Sequence, residues 1–256
     1  MNANLTKVLV QRHDERGLCT LTLNRPAVLN ALNRAVFQQL RAHVDALASQ
    51  PDSAGCVLLR GAGRAFCAGA DLRALEQASL NAPLDPFEPE VVEAFAALPQ
   101  PTIAAVHGHC LTGGLELALA ADFIVAADDA RFADTHARWG LSPAWGMSVR
   151  LPDRIGLARA KELMFSGREL QADEAHAIGL VNQVWPRDAF EDAARELGLC
   201  IAHNARSALR WTKSAVDSAR GRPPKEALAE ERARHPGLGE EFLARIHRIK
   251  PTGKFR

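Results

Sequence analysis

The sequence has no tyrosine, only three methionines and almost no excess charge. Its 31 Lys and Arg offset 30 Asp and Glu, a formal net charge of +1 with His neutral. That balance argues against a dedicated nucleic-acid binder, whose domain is normally strongly basic. No run reaches the ~18 uncharged apolar residues of a membrane span, so no membrane partner is expected. Met1–Arg16 lacks the apolar stretch of a secretory leader. The five cysteines, Cys19, Cys56, Cys67, Cys110 and Cys200, are scattered, odd in number and without a CxxC pair. This pattern suits free thiols in a reducing compartment better than a disulfide framework, so a cytoplasmic location is expected. Low-complexity tracts and short-period repeats are also missing. Nothing in the sequence explains the absent tyrosine.

What is present is ordinary globular material. The 256 residues are 47% hydrophobic and 24% charged, too apolar for a disordered chain. At this length a folded chain buries roughly 70–75% of its unfolded surface, enough for a core without disulfides.

The first half alternates short apolar runs with helical stretches. Val8–Gln11 and Cys19–Leu23 flank the polar turn His13–Gly17 and predict a hairpin. Asn30 or Asn33 then caps a helix to about Ser49, with Val36, Leu40, Val44 and Leu47 at helical spacing. Cys56–Arg60, Thr102–Val106 and Phe123–Ala126 read as buried strands with helices between them, the pattern of an α/β fold with much parallel pairing. After about Trp185 strand signals stop. Arg187–His203, Arg206–Arg220 and Pro224–His247 all read as helices. The expected organisation is an α/β core over 1–185 and a helical C-terminal region over 186–256.

Two glycine-containing segments follow predicted strands: Gly61-Ala-Gly-Arg-Ala-Phe-Cys-Ala-Gly-Ala-Asp-Leu72 and His107-Gly-His-Cys-Leu-Thr-Gly-Gly-Leu-Glu-Leu117. Glycine lets another molecule approach the main chain closely. A helix starting at Gly113-Gly114 aims free N–H groups and its positive dipole end at whatever precedes it. One N–H from each segment would make an oxyanion hole, for which an ester or thioester carbonyl is the natural guest. A dinucleotide fingerprint at Gly61-x-Gly63 fails because Phe66 stands where glycine is needed. A phosphate-binding P-loop fails for lack of Gly-Lys-Ser/Thr.

Glu116 lies three residues after Gly113, in the first turn of an apolar helix. It reads either as a charge satisfying the helix dipole or as a general base tuned by burial. Asp71 and Asp134 read as nearby acid–base groups, or more simply Asp71 as a cap for the helix after it and Asp134 as an early-helix charge. His107 and His109 lack a third and fourth ligand at suitable spacing, so no metal is expected. Cys67 and Cys110 have no evident base and read as packing. Phe66, Trp139, Trp145 and Met147 read as core or as walls of an acyl pocket. Phe242–Arg256 carries Arg245, Arg248, Lys250, Lys254 and Arg256 and no acidic residue. It reads as a solvated tail or as an attractor for phosphates.

Four segments together resemble the enoyl-CoA hydratase/isomerase (crotonase) family. They are Asn24-Arg-Pro-x-x-x-Asn-Ala-Leu32, Gly63-Arg-Ala-Phe-Cys-Ala-Gly-Ala-Asp-Leu72, Gly113-Gly-x-Glu-Leu117 and Phe132-Ala-Asp134. The resemblance implies a spiral of ββα units, with C-terminal helices that assemble a homotrimer or a dimer of trimers and cover the active site. It implies an acyl-CoA substrate, with no cofactor beyond that coenzyme A. The N–H groups of Ala70 and Gly113 would hold the thioester oxygen. The main chain at Ala68, Asp71 and Leu72 would meet the nucleotide end of coenzyme A, with Lys250 and Lys254 attracting its phosphates. Glu116 matches the first of the hydratases' two catalytic glutamates.

The second glutamate is absent. Four residues after Phe132, where it is expected, stands His136. Imidazole can donate a proton near neutral pH, so His136 replaces the acid or else packs as an ordinary helix residue. The expected activity is hydration of a 2-enoyl-CoA. The alternatives are isomerisation, thioester hydrolysis or C–C cleavage on the same fold, or acyl-CoA binding without turnover.

Overall fold

The computed structural model describes residues 8–76 and 85–248. Strands β1 (Val10–Glu15) and β2 (Leu18–Leu23) pair antiparallel around Arg16-Gly17. Both turn residues have positive φ, 46° and 87°, the two-residue geometry whose twist matches a hairpin. The turn is therefore shorter than His13–Gly17, and His13, Asp14 and Glu15 pair with Thr20, Cys19 and Leu18. Helix α1 (Arg34–Ser49) is capped by Asn33, whose Oδ1 accepts the Val36 N–H at 3.1 Å. It buries Val36, Phe37, Leu40, Val44 and Leu47, each worth roughly 1.5–3 kcal/mol of transfer free energy.

The chain continues through β3 (Cys56–Gly61), α2 (Leu72–Glu76), α3 (Phe87–Ala96), β4 (Thr102–Val106), β5 (His109–Leu111) and α4 (Gly113–Leu119). Next come β6 (Phe123–Ala127), β7 (Arg131–Ala133), α5 (Met147–Ile155), α6 (Leu157–Ser166), β8 (Leu170–Gln171), α7 (Ala172–Ala177) and β9 (Gln183–Trp185). Four helices end the described chain: α8 (Arg187–Ala202), α9 (Arg206–Ala219), α10 (Pro224–Arg234) and α11 (Glu240–Arg248).

The strands form two sheets, in the orders β1-β2-β3-β4-β6-β9 and β5-β7-β8. Within the large sheet every pairing after the hairpin is parallel. Successive turns of the chain place one strand in each sheet, β4 then β5 and β6 then β7, with a helix returning. This is the ββα spiral that the resemblance implies. Gly108 makes the β4–β5 corner at φ +53°, where a Cβ would sit 2.1 Å from the Arg64 carbonyl oxygen.

The large sheet is covered on both faces, which is why its central strands are continuously apolar. Val57, Leu59, Ala104, Val106, Ile124 and Ala126 face the main core with α1 and α3. Cys56, Leu58, Ile103, Ala105, Val125 and Ala127 face the opposite way, against Phe190, Ala194, Leu199 and Ala202 of α8. The helical stretch expected from residue 186 thus divides. Helix α8 belongs to the core, whereas no residue of α9 or α10 is buried. Lys213 ties α9 to the core, its Nζ 3.0 Å from Asp122 Oδ1 and 3.1 Å from the Gln100 carbonyl oxygen. The single helix expected over Pro224–His247 is two. Pro236, which lacks an N–H, and Gly237, at φ +74°, separate α10 from α11.

Candidate functional site

The site begins with Asn30, expected as a possible helix cap. It is buried and takes left-handed φ, +57°, which Asn tolerates better than most residues. Its Nδ2 donates to the carbonyls of Ala62 and Ala65 at 2.9 and 2.8 Å, and its Oδ1 accepts the Arg25 N–H at 2.8 Å. One side chain thereby fixes the loop leaving β3. The next residues run extended between two neighbours. Phe66 and Cys67 N–H groups donate to His107 and His109 carbonyls on one side, while Ala68 N–H donates to Leu29 on the other.

At Ala70 the two neighbours diverge. Leu32 donates to the Gly69 carbonyl at 2.8 Å and accepts the Asp71 N–H at 2.7 Å. In an extended strand the residue between two such bonds turns its own N–H to the opposite side. On that side β5 has already given way to α4. An ideal Cβ at Gly69 would lie 3.4 Å from Gly113 N, so the two glycine segments touch. Among the described residues neither Ala70 N–H nor Gly113 N–H has a hydrogen-bond acceptor.

Helix α4 is buried at all seven positions, and its first two must be glycine. A Cβ at Gly113 would lie 2.4 Å from Trp145 Cζ3, and one at Gly114 would lie 2.5 Å from the Cys67 carbonyl oxygen. Trp145 is held in turn edge-on against Phe37, ring centroids 4.9 Å apart.

Glu116 is 1% exposed. Its Oε1 accepts the Trp145 and Met147 N–H groups at 2.8 and 3.1 Å. Burial pushes this carboxyl above its ordinary range, and the two amides and His136 pull against that shift. The other oxygen, Oε2, lies 3.7 Å from His136 Nε2. His136 is 8% exposed, in a 3-10 turn after β7. Its Nδ1 lies 2.6 Å from Asp134 Oδ1, which also accepts the His136 N–H at 3.1 Å. Asp134 is therefore no early-helix charge. It is buried, and completes a carboxylate–imidazole–carboxylate row.

Asp71 Oδ1 accepts the Arg73 N–H at 3.2 Å at the start of α2, and its Oδ2 pairs with Arg25 at 2.9 Å. Leu72 is exposed beside it. Phe66 and Met147 are core. Trp139 is 60% exposed and is not core; its 3-10 turn leaves it exposed while burying His136. His107 Nε2 donates to the Gly63 carbonyl oxygen at 2.9 Å, and the ring lies against Phe190, under α8. Cys67 and Cys110 face each other across an isolated bridge. Burial pushes the Cys67 thiol up to about 12 and the Cys110 thiol well up, so neither serves as a nucleophile. Among the described residues no group of three or more His, Cys, Asp or Glu is arranged to hold a metal ion. Lys250 and Lys254 lie outside the described residues.

Asn30 and Asp134 are the polar residues whose roles here the sequence reading missed. The signal for Asp134 was its place two residues before a histidine.

The comparisons agree with this architecture. The family model described as enoyl-CoA hydratase/isomerase matches residues 13–241. A probable peroxisomal enoyl-CoA hydratase of Arabidopsis thaliana is 35% identical over 266 residues, covering 99% of this chain and 100% of that one. A probable enoyl-CoA hydratase of Mycobacterium bovis is 39% identical over 228 residues, 88% of this chain and 86% of its own. The crystal structure of an enoyl-CoA hydratase from Bacillus anthracis superposes with a TM-score of 0.82 at 31% identity, covering 93% of this chain and 91% of that one. With its glycine segments, buried Glu116 and two-sheet spiral, the chain belongs to the enoyl-CoA hydratase/isomerase family.

Proposed function

We propose that the protein is a hydro-lyase that adds water across the double bond of a 2-enoyl-CoA. The observation that carries the reading is the 3.7 Å approach of His136 Nε2 to Glu116 Oε2 beside two unpaired backbone N–H groups. Ala70 and Gly113 N–H groups take the thioester oxygen and stabilise the enolate that forms as water attacks Cβ. Glu116, ionised, holds that water and takes one proton from it. His136, as imidazolium with Asp134 at Nδ1, gives its Nε2 proton to Cα. The proton on Glu116 then passes to Nε2 and resets the pair. Hydroxyl has joined Cβ and hydrogen Cα, so the sum is one water. The chemistry needs no group beyond the substrate's own coenzyme A.

The nucleotide end of coenzyme A is placed against the main chain at Ala68, Asp71 and Leu72, with Lys250 and Lys254 drawing in its phosphates. The working assembly is a homotrimer or a dimer of trimers. Support comes from α9–α11 and the link between α10 and α11, which expose Val216, Leu228, Leu238, Phe242, Leu243 and Ile246. Exposed apolar side chains that gather into one patch mark an interaction face. Sedimentation at working concentration reads the assembly, and a monomer overturns it. The cytoplasm is the proposed location, supported by five free cysteines; no described helix is long and apolar enough to cross a membrane.

The test follows loss of the conjugated thioester absorbance of crotonyl-CoA and of a longer 2-enoyl-CoA. Wild type turns over, and Glu116→Ala and His136→Ala each lose about 10²–10⁴-fold. Loss in Glu116→Ala alone would make His136 structural. No wild-type turnover with acyl-CoA binding intact favours a second reading, another reaction of the family such as isomerisation, which the single retained glutamate permits.

A further inference from the structure

Thr112, immediately before α4, has φ +50° and ψ −114°. That is the first central position of a type II′ turn, where glycine is normally required. A β-branched side chain there is under steric strain. The side chain does not cap the helix. Its hydroxyl instead lies 2.5 Å from the Thr135 hydroxyl and accepts the Thr135 N–H at 3.2 Å. The Thr112 N–H donates to the Ala133 carbonyl at 2.8 Å. Three hydrogen bonds therefore tie a strained residue to the segment that carries Asp134 and His136.

The position matters because Gly113 N–H belongs to the peptide plane joining Thr112 to Gly113. The ψ of Thr112 sets where that N–H points. Thr135, at the other end of the clamp, lies between Asp134 and His136 in sequence. We infer that Thr112 and Thr135 are positioning residues that aim the Gly113 N–H and fix it relative to the His136 imidazole. The inference rests on the proposed function in one respect: it takes Gly113 N–H as a donor to the thioester oxygen. Strain persists at such a position when surrounding contacts over-determine it, and here the contacts are two hydroxyls with no part in helix capping.

The test uses cinnamoyl-CoA, a conjugated thioester whose absorbance moves to the red when its carbonyl is polarised. It is read alongside crotonyl-CoA hydration and thermal unfolding. Wild type shows a red shift on binding. Thr112→Val, which keeps the branching but loses the hydroxyl, loses most of that shift, and kcat falls about 10–100-fold with KM changed less than about threefold, the scale of a misaimed group. Thr135→Val, which removes only the hydroxyl pair, behaves the same way to a smaller degree and decides the matter if Thr112→Val does not fold. Thr112→Ser, which restores the hydroxyl, recovers most of the shift and rate. Variants that unfold at lower temperature yet keep wild-type red shift and kcat overturn the clamp and leave only a structural role. A wild type with neither red shift nor turnover overturns the proposed function and the clamp together; a wild type with both, and variants unaffected, overturns the clamp alone.

Discussion

Asp134 Oδ1 lies 2.6 Å from His136 Nδ1, with the carboxyl 2% exposed. A carboxylate there fixes the tautomer and orientation of the ring and, in the hydration proposed above, stabilises the imidazolium that gives its proton to Cα. Asp134→Asn keeps the size and one acceptor but removes the charge. It is expected to lower kcat about 10²–10³-fold with little change in KM, because the interaction matters most while His136 is charged. Steady-state hydration kinetics check this, and a kcat within about threefold of wild type would make Asp134 a local turn-former only.

Gly113 and Trp145 constrain each other. A Cβ at residue 113 would lie 2.4 Å from Cζ3 of a ring already set against Phe37. Gly113→Ala must move the ring or the helix start. Overpacking of this kind costs about 1–3 kcal/mol, and it disturbs the Trp145 N–H that holds Glu116. The variant is expected to show altered tryptophan fluorescence, a lower unfolding midpoint and at least tenfold less turnover. Unchanged fluorescence would mean that the site tolerates the methyl group.

The sequence already showed why these residues gather. Short apolar strands alternating with helices predicted the parallel sheet, glycines soon after two of them marked both loops, and Glu116 followed from its place one turn into an apolar helix. Strands β5, β7 and β8 have three residues or fewer, too short for any periodicity to show. Trp139 looked apolar enough for the core, yet its exposure is decided by a 3-10 turn that local pattern does not reveal. Asp134 and Asn30 were ambiguous for a different reason. Each makes its bonds through tertiary proximity, and Asn30 contacts carbonyls more than 30 positions away. The same Asn-before-helix signal served both Asn30 and Asn33, and only packing chose between them.

Asn30→Ala tests the staple beneath the site. The change leaves the Ala62 and Ala65 carbonyls and the Arg25 N–H without partners. Unsatisfied buried groups cost about 1–3 kcal/mol each, and alanine also adopts left-handed φ less readily than asparagine. A stability loss of about 3 kcal/mol is expected, read as a lower urea midpoint with unchanged slope. A loss under about 1 kcal/mol would show that the loop holds its course without this side chain.

Glu116 gives the final prediction because its two roles oppose each other. Burial holds its carboxyl above the ordinary value of 4.5. The folded protein then binds this proton more tightly than the unfolded chain does. Stability must fall as pH rises from about the ordinary carboxylate range through the raised value, and the full penalty remains at neutral pH. Glu116→Gln cannot ionise but can still accept the Trp145 and Met147 N–H groups through its amide oxygen. Its unfolding temperature is therefore expected to exceed that of wild type by a few degrees at pH 7.5, with the gap closing as pH approaches 4.5. Every other carboxyl titrates in both proteins, so the difference curve isolates Glu116 and whatever is coupled to it. Hydration should move the opposite way, because the base must be ionised: wild-type kcat rises with pH along a limb above the ordinary carboxylate range, and the glutamine variant stays inactive throughout. A glutamine variant less stable than wild type at pH 7.5 would mean that the His136 and amide contacts outweigh burial, and the rising limb would then fall within or below that range.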